Sequence, residues 1–274
     1  MIDLHLHTTA SDGRLTPREL VERAHAAGLR VMAVTDHDTT AAVGDASRVG
    51  ADVGVEVVAG IEVTAVEDGR DVHVLGYFLD PDDPTLAAFL TTQRLRRITR
   101  VQAIADRLAS LGVPVDVDAL LACARRETGK SIGRPQVARA MIDAGHVRDT
   151  REAFDRWLAT GRPGFVAREG PSIEAVIDAL HGAGGLASLA HPGKTLIDAR
   201  IPALRDAGLD AIEVFHPDHD EVTRARYAER AAQLGCLMTG GSDFHGDPAH
   251  GLEPGAVTVP AGEWARLLGA RAHA

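Results

Sequence analysis

The chain is short of cysteine, lysine, aromatic residues and net positive charge, and each shortage removes a class of explanation. Cys123 and Cys236 alone can build neither a disulfide framework nor a thiolate zinc cage. Lys130 and Lys194 are the only lysines, so nearly all 29 cationic residues are arginine. Aromatics at 4% are too few for a base-stacking platform of the single-strand-binding kind. A formal net charge of −10 argues against a general grip on long nucleic acid. No apolar run approaches the ~20 residues of a membrane span. Met1-Ile2-Asp3-Leu4-His5 has neither the basic start nor the apolar stretch of a secretory signal, so a cytoplasmic protein is expected. What remains is ordinary globular composition, with 45% apolar and 25% charged residues. The 274 residues suit one large domain, or one domain with a small insert. Thirteen histidines are many for this length, and their positions carry the reading.

Apolar runs rich in Val, Ile and Leu alternate with helix-period segments over much of the chain. Strands are predicted over 2–7, 29–35, 55–63, 71–78, 186–190, 211–215 and 236–240. Helices are predicted over 17–27, 172–183, 201–207 and 221–234, several of them stopped by Gly28, Gly208 or Gly235. Thr16, Pro17 and Glu19 together spell an N-cap, a first-turn proline and a capping box. Such alternation favours an α/β fold with a parallel sheet, closed or open. From 85 to 162 it stops, and helical patterns follow at 86–111, 117–126, 135–144 and 150–159. Pro81-Asp82-Asp83-Pro84 and Gly161-Arg162-Pro163-Gly164 bracket this stretch. The expectation is a body formed by 1–84 and 163–274, with 85–162 as an all-helical insert that covers the substrate.

The histidines and acids fall at strand ends. The first strand ends in His5-Leu6-His7, with Asp12 in the next loop, and the second in Asp36-His37-Asp38. Glu62 ends the third, His73 lies within the fourth, and His191 ends the fifth. The sixth leads to His216, and the seventh to Asp243-Phe244-His245. In a parallel barrel those ends share one face. Residues two apart on a strand point the same way, so His5 and His7 can grip one ion together. Imidazole and carboxylate without thiolate suit manganese, iron or zinc. Nine candidates exceed the four ligands of one tetrahedral ion and suffice for two or three. Singly, each has an ordinary alternative: a core histidine for His73, a turn for Asp12-Gly13, a loop for His191-Pro192. Their coincidence on all seven strands argues for metal. His25, His146, His181 and His273 read as structural or surface residues, and His250 is left open.

Together, DLHLHTTASDG from Asp3, TDHD from Thr35, GIEVT from Gly60, the strand bearing His73, AHPG from Ala190 and GSDFH from Gly241 resemble the polymerase and histidinol phosphatase (PHP) family of metal-dependent phosphoesterases. The resemblance implies a distorted seven-stranded (β/α) barrel holding three divalent ions, with manganese as the expected metal. It implies that His5, His7, Glu62 and Asp243 hold the first ion. Asp12, His37 and His191 would hold the second, and Glu62, His73 and His245 the third. The chain also resembles a branch acting on nucleoside 3′,5′-bisphosphates and short 5′-phosphorylated oligonucleotides. That branch carries a Gly-Arg-Pro-His segment whose arginine meets phosphate; here it is Gly133-Arg134-Pro135-Gln136.

The expected chemistry is hydrolysis of nucleotide phosphate monoesters by a metal-bridging hydroxide. Asp12, His37, His191 and His216 form the expected catalytic set. Arg134, Lys194 and His219 are the expected substrate-binding residues, with His216 and His219 both placed to protonate the leaving oxygen. A small phosphorylated substrate is the expected partner. The same centre would also serve a 5′-3′ exonuclease on short oligonucleotides. An amidohydrolase shares the HxH opening but often uses a carboxylated strand lysine, and neither lysine lies in a predicted strand. A non-catalytic metal-binding module is the remaining alternative.

Overall fold

The computed structural model describes residues 1–127, 129–195, 197–247 and 251–271. His250 and His273 lie outside the described residues. Seven strands form one sheet in chain order: β1 (Ile2–Leu6), β2 (Val31–Val34), β3 (Glu56–Glu67), β4 (Arg70–Tyr77), β5 (Leu186–Leu189), β6 (Ala211–Phe215) and β7 (Leu237–Gly240). The sheet curls nearly shut. Leu6 bridges Phe244 just beyond β7, and the His7 N–H donates to the Phe244 carbonyl at 3.0 Å.

The strands are not all parallel, which corrects the expectation. β1, β2 and β3 run parallel, as do β5, β6 and β7, but β4 is antiparallel to both neighbours. The cause is local. β3 continues to Glu67, four residues beyond its predicted end, and only Asp68-Gly69 separates it from β4. Both turn residues have positive φ, 49° and 72°, as a two-residue hairpin of this hand requires. Strands joined so tightly can pair only antiparallel. His73 therefore lies toward the N-terminal end of its strand and still reaches the face where the other strands end.

Helices clothe the sheet: α1 (Pro17–Ala26), α2 (Val43–Val53), α7 (Ile173–Gly182), α8 (Pro192–Thr195), α9 (Ile201–Asp206), α10 (Glu221–Leu234) and α11 (Ala261–Arg271). The Thr16–Glu19 capping box starts α1. α2 and α11 had no counterpart in the sequence reading. α2 carries an apolar stripe at helical spacing, burying Val43, Ala46, Val49 and Gly50, which the sequence alone had not singled out. Gly50 lies so close to β3 that a Cβ there would meet the Val55 carbonyl at 2.5 Å. Leu267 of α11 joins Leu4, Ala33, Leu75 and Tyr77 in one buried cluster.

Between β4 and α7 the described elements are all helical: α3 (Pro84–Ser110), α4 (Asp118–Arg126), α5 (Arg134–Asp143), α6 (Thr150–Ala153) and a π-helical turn over Phe154–Leu158. Leu86 and Leu90 of α3 pack with Ile173, Ile177 and Leu180 of the barrel's cover. Further along, Ile98, Val101, Ile104 and Leu108 enter a separate cluster with Leu121, Val137, Met141 and Leu158. One helix thus spans two cores. No described helix is long and apolar enough to cross a membrane.

Asp3 staples the barrel seam. Its buried carboxylate accepts from the backbone N–H of His5 (3.2 Å), Ser242 (2.9 Å) and Gly255 (2.7 Å). Asp3→Ala leaves two buried donors and one part-buried donor unpaired. It should lower the unfolding free energy by about 2–3 kcal/mol in urea titration; an unchanged midpoint would mean the seam is held elsewhere.

Candidate metal centre

Glu62 is the hub. Its side chain is buried, and five imidazoles crowd its carboxylate: His73 at 2.7 Å, His37 and His191 at 3.0 Å, and His5 and His7 at 3.3 Å. His5 and His7 share a face of β1, and both Nε2 atoms also lie 3.3 Å from Asp243 Oδ1. His73 arrives through the hairpin, paired across from Thr64, two residues past Glu62 on the same face. Asp12 lies 3.2 Å from His245 Nε2 and 3.5 Å from His37 Nε2. All nine residues named from the sequence meet at one end of the barrel.

Their grouping differs from the one the resemblance implies. Potential ligand atoms lie within 4.8 Å of one another in three sets: His7, Asp12, His37 and His245; His5, His7 and Asp243; and His37, Glu62 and His73. His245, not His191, accompanies Asp12 and His37. His191 instead bonds Glu62 and contacts the His73 ring at a centroid distance of 5.3 Å. The closed sheet explains the exchange. β7 neighbours β1, whose following loop carries Asp12, whereas β5 neighbours β4, which carries His73.

Several of these groups are buried and make no hydrogen bond: His5 Nε2, both nitrogens of His7, His37 Nδ1, Glu62 Oε2 and His191 Nδ1. Each unpaired buried polar group costs about 1–3 kcal/mol. Concentrated in one place, and belonging to imidazole and carboxylate, they fit divalent cations as common partners. Burial alone would raise the carboxyls of Asp12, Glu62 and Asp243, but the surrounding imidazoles override it and hold all three well below the usual range. Conversely burial would lower His7, yet the carboxylates of Asp243 and Glu62, each 3.3 Å from its Nε2, push it up to about 10.

The next layer fixes these groups. Glu213, which the sequence reading missed, is fully buried. It accepts from His5 Nδ1 at 2.8 Å and from the His191 backbone N–H at 2.7 Å. With the proton on Nδ1, His5 presents an Nε2 lone pair to the centre. The available signal was a lone acid in the apolar run Ala211–Phe215. His216 Nδ1 accepts from the Asp218 N–H at 3.1 Å, so Nε2 carries the proton and donates to Asp243 at 3.3 Å. His216 therefore orients Asp243 and is not free to protonate a leaving group. His219 also departs from expectation. It is buried, its Nδ1–H donates to the Val214 carbonyl at 3.0 Å, and its Nε2 accepts from the Gly193 N–H at 3.2 Å. Backbone contacts occupy both nitrogens, which leaves none for substrate. Lys194 stands at the mouth, 2.7 Å from Asp218 and 3.5 Å from Asp243, beside a cavity of about 250 Å³.

On the opposite side, an arginine wall meets the centre. A cavity of about 120 Å³ is lined by Asp12, His37 and His73 and by Arg97, Arg100, Arg134 and Arg168. Asp38 accepts from Arg97 at 2.5 Å and Arg168 at 2.8 Å, and Asp71 accepts from Arg100 and Arg134, each at 3.0 Å. Four guanidiniums against two carboxylates leave positive charge, and Arg100 Nη2 and Arg168 Nε have no partner. Only Arg134 was singled out from sequence. Arg97 and Arg100 resemble ordinary surface charges of an amphipathic helix, their one signal being a shared face at i, i+3. Gln136 is buried; it accepts from the Gly133 N–H at 2.7 Å and donates to the Ser11 carbonyl at 2.8 Å. A larger cavity of about 530 Å³ runs from Asp12 and His245 beneath Pro135, Arg139, Thr150 and Phe154.

Burial would raise the Asp71 carboxyl, but Arg100 and Arg134 hold it down at about 2. A depressed native value stabilises the fold above the unfolded pKa of ~4 and loses that contribution as pH falls toward 2. Asp71→Asn should therefore flatten the acid limb of stability between those values, as read by urea midpoints at several pH values. A limb as steep as the parent's would show that the two arginines do not act through Asp71.

Comparisons with known proteins agree with this geometry. Residues 3–146 match the PHP domain family. The chain is 34% identical over 259 residues to a 3′,5′-nucleoside bisphosphate phosphatase of Chromobacterium violaceum, covering 93% of this chain and 90% of that protein. It is 36% identical over 270 residues to a 5′-3′ exoribonuclease of Escherichia coli, covering 95% and 90%. Among solved structures, one from Bifidobacterium adolescentis described as a metal-dependent phosphoesterase superposes with a TM-score of 0.89 at 33% identity, covering 98% and 96%.

Proposed function

Since the chain belongs to the PHP domain family of metal-dependent phosphoesterases, we propose that its barrel mouth holds three divalent cations, manganese foremost, and hydrolyses phosphate monoesters of nucleotides such as nucleoside 3′,5′-bisphosphates. The observation that carries this reading is Glu62 among five imidazoles, with six buried donor or acceptor atoms, its own Oε2 among them, left unpaired. A carboxylate offers roughly four lone-pair sites, fewer than its neighbours require, so further positive centres between them complete the set. His5, His7 and Asp243 would hold one cation, Asp12, His37 and His245 a second, and Glu62, His73 and His191 a third. When bound, such cations lower the pKa of a coordinated water toward neutrality and offset the charge on phosphate oxygens.

The chain's own residues do the rest. Arg134, stacked between Phe154 and Phe165, offers a guanidinium to phosphate from the arginine wall. Lys194 offers a second positive charge across the centre, beside Asp243. His216 holds Asp243 in place, and Glu213 holds His5. We take 85–162 as the substrate-covering insert, because Pro135, Arg139, Thr150 and Phe154 roof the largest cavity that opens on Asp12 and His245. Lys130 and Lys194 lie outside the strands, so no strand lysine is available as an amidohydrolase-type bridge, and Glu62 fills that place. The two free cysteines suit a reducing compartment such as the cytoplasm.

A 5′-3′ exonuclease acting on short oligonucleotides is the second reading. It is favoured by two cavities, of about 530 and 250 Å³, that adjoin at His245 and Asp247 and so offer room beyond the phosphate itself. Phosphate release from 3′,5′-bisphosphoadenosine, set against mononucleotide release from a short 5′-phosphorylated RNA with Mn2+ present, decides between the two.

Chelation should abolish either activity and added Mn2+ restore it; turnover that survives exhaustive chelation would overturn the reading. His37→Ala should lower kcat by about 100-fold or more while thermal melting changes little. For Arg134→Ala, KM should rise about tenfold with kcat nearly kept; an unchanged KM would remove Arg134 from substrate binding.

A further inference from the structure

The loop after β1 is held by the insert along one edge. Four consecutive backbone carbonyls, of Thr9, Ala10, Ser11 and Asp12, each accept a hydrogen bond from a single stretch of the insert. The donors are Lys130 Nζ, the Ser131 N–H at 2.9 Å, Gln136 Nε2 at 2.8 Å and Arg139 Nη2 at 2.5 Å. Gln136 and Arg139 lie three residues apart on α5, so both face the loop from successive turns. The barrel holds the loop's other edge. Thr8 and Ser11 donate to Asp36, and the Arg14 N–H donates to the His245 carbonyl at 2.8 Å. Gly13 packs against the His7 carbonyl, where a Cβ would lie 2.4 Å away, so the turn has little slack.

Asp12 is thus placed by two independent bodies. Among the nine residues of the centre it comes from a loop rather than a strand or its immediate exit, so strand pairing does not fix it. Its carbonyl and that of Ser11 are fixed by α5 alone. Gln136 also accepts from the Gly133 N–H, which ties the loop to the residue before Arg134. We propose that Gln136 and Arg139 are positioning residues for Asp12, so that cation occupancy at Asp12, His37 and His245 depends on the docking of α5. This rests on the three-cation reading above. Because coupling between two binding events is reciprocal, a cation at Asp12 in turn tightens the insert over the barrel mouth. Covering the substrate and completing the metal centre become one event.

The test is Mn2+ titration of the cation-free full-length protein by calorimetry, with equilibrium dialysis for stoichiometry. Gln136→Met and Arg139→Met remove a donor at similar bulk, while Arg139→Lys keeps one. In each Met variant one of three binding steps should weaken by about tenfold or more, the other two staying as in the parent. Arg139→Lys should recover most of the loss. The kcat of the Met variants should fall at low Mn2+ and return at saturating Mn2+. Melting of the cation-free variants checks that they fold, and Arg139→Met carries the test alone should Gln136→Met not fold. Three binding steps of parental affinity in the Met variants would overturn the proposal, since a merely structural role in the insert predicts that result. Fewer than three Mn2+ in the parent would overturn the three-cation reading, and this assignment with it.

Discussion

A buried carboxylate with five imidazole neighbours is an electrostatic problem before it is a catalytic site. Glu62 cannot bond all of them, and protonating all of them would put several positive charges within a few ångströms of one another. Every strand direction in the barrel bears on this point. β1 brings two imidazoles on one face, β5 brings His191, and the reversed β4 brings His73 from the other direction. Had β4 been parallel like its neighbours, His73 would sit toward the far end of the barrel. The Asp68-Gly69 turn is thus as much a part of the metal centre as any ligand, although it touches none of them.

The second layer shows how little freedom the centre retains. Glu213 fixes the His5 tautomer with one oxygen and the His191 backbone with the other, joining groups that lie on different strands. His191 is held with a positive φ of 27°, a conformation that a non-glycine residue adopts only where its surroundings impose it. The bond from its N–H to Glu213 is one such constraint. His216 performs for Asp243 what Glu213 performs for His5. The two residues divide between them the orientation of the groups around His5 and His7.

The sequence made legible which side chains gather at the barrel mouth but not how they group there. His5 and His7 could be read from period-two spacing, and Glu62, His191, Asp243 and His245 from their places at strand ends, because both signals are local. Whether His191 or His245 accompanies Asp12 depends on which strands become neighbours when the sheet closes, and no local signal carries that. His73 was legible as a candidate while its strand's direction was not, since β3 was expected to end before the hairpin began. His219 looked like a site residue because it follows β6 closely, but proximity in sequence says nothing of where a ring points, and this one turns into the backbone of Gly193 and Val214. Arg97, Arg100 and Arg168 were hidden for the opposite reason. Helical and loop arginines usually meet water, and only the tertiary fold shows these three buried against Asp38 and Asp71.

The dipeptide His37-Asp38 joins the two halves of the site. His37 faces Glu62 and Asp12, while Asp38, at a φ of 51°, turns away to Arg97 and Arg168. The Asp38 N–H donates to the Glu62 carbonyl at 2.9 Å, and Asp38 Oδ1 accepts from the Thr64 N–H at 2.8 Å, so the turn is pinned to β3 at Glu62 and Thr64. Cation cage and arginine wall are therefore separated by one peptide unit and share one strand as their base. In the reading proposed above, a phosphate on the wall would stand at a distance from the cage set by the His37-Asp38 backbone and by the ion pairs that hold Arg97 and Arg168 to Asp38. Reactions whose barrier falls through positioning and charge neutralisation benefit from such a fixed spacing, because nothing needs to reorganise as negative charge shifts among the phosphate oxygens.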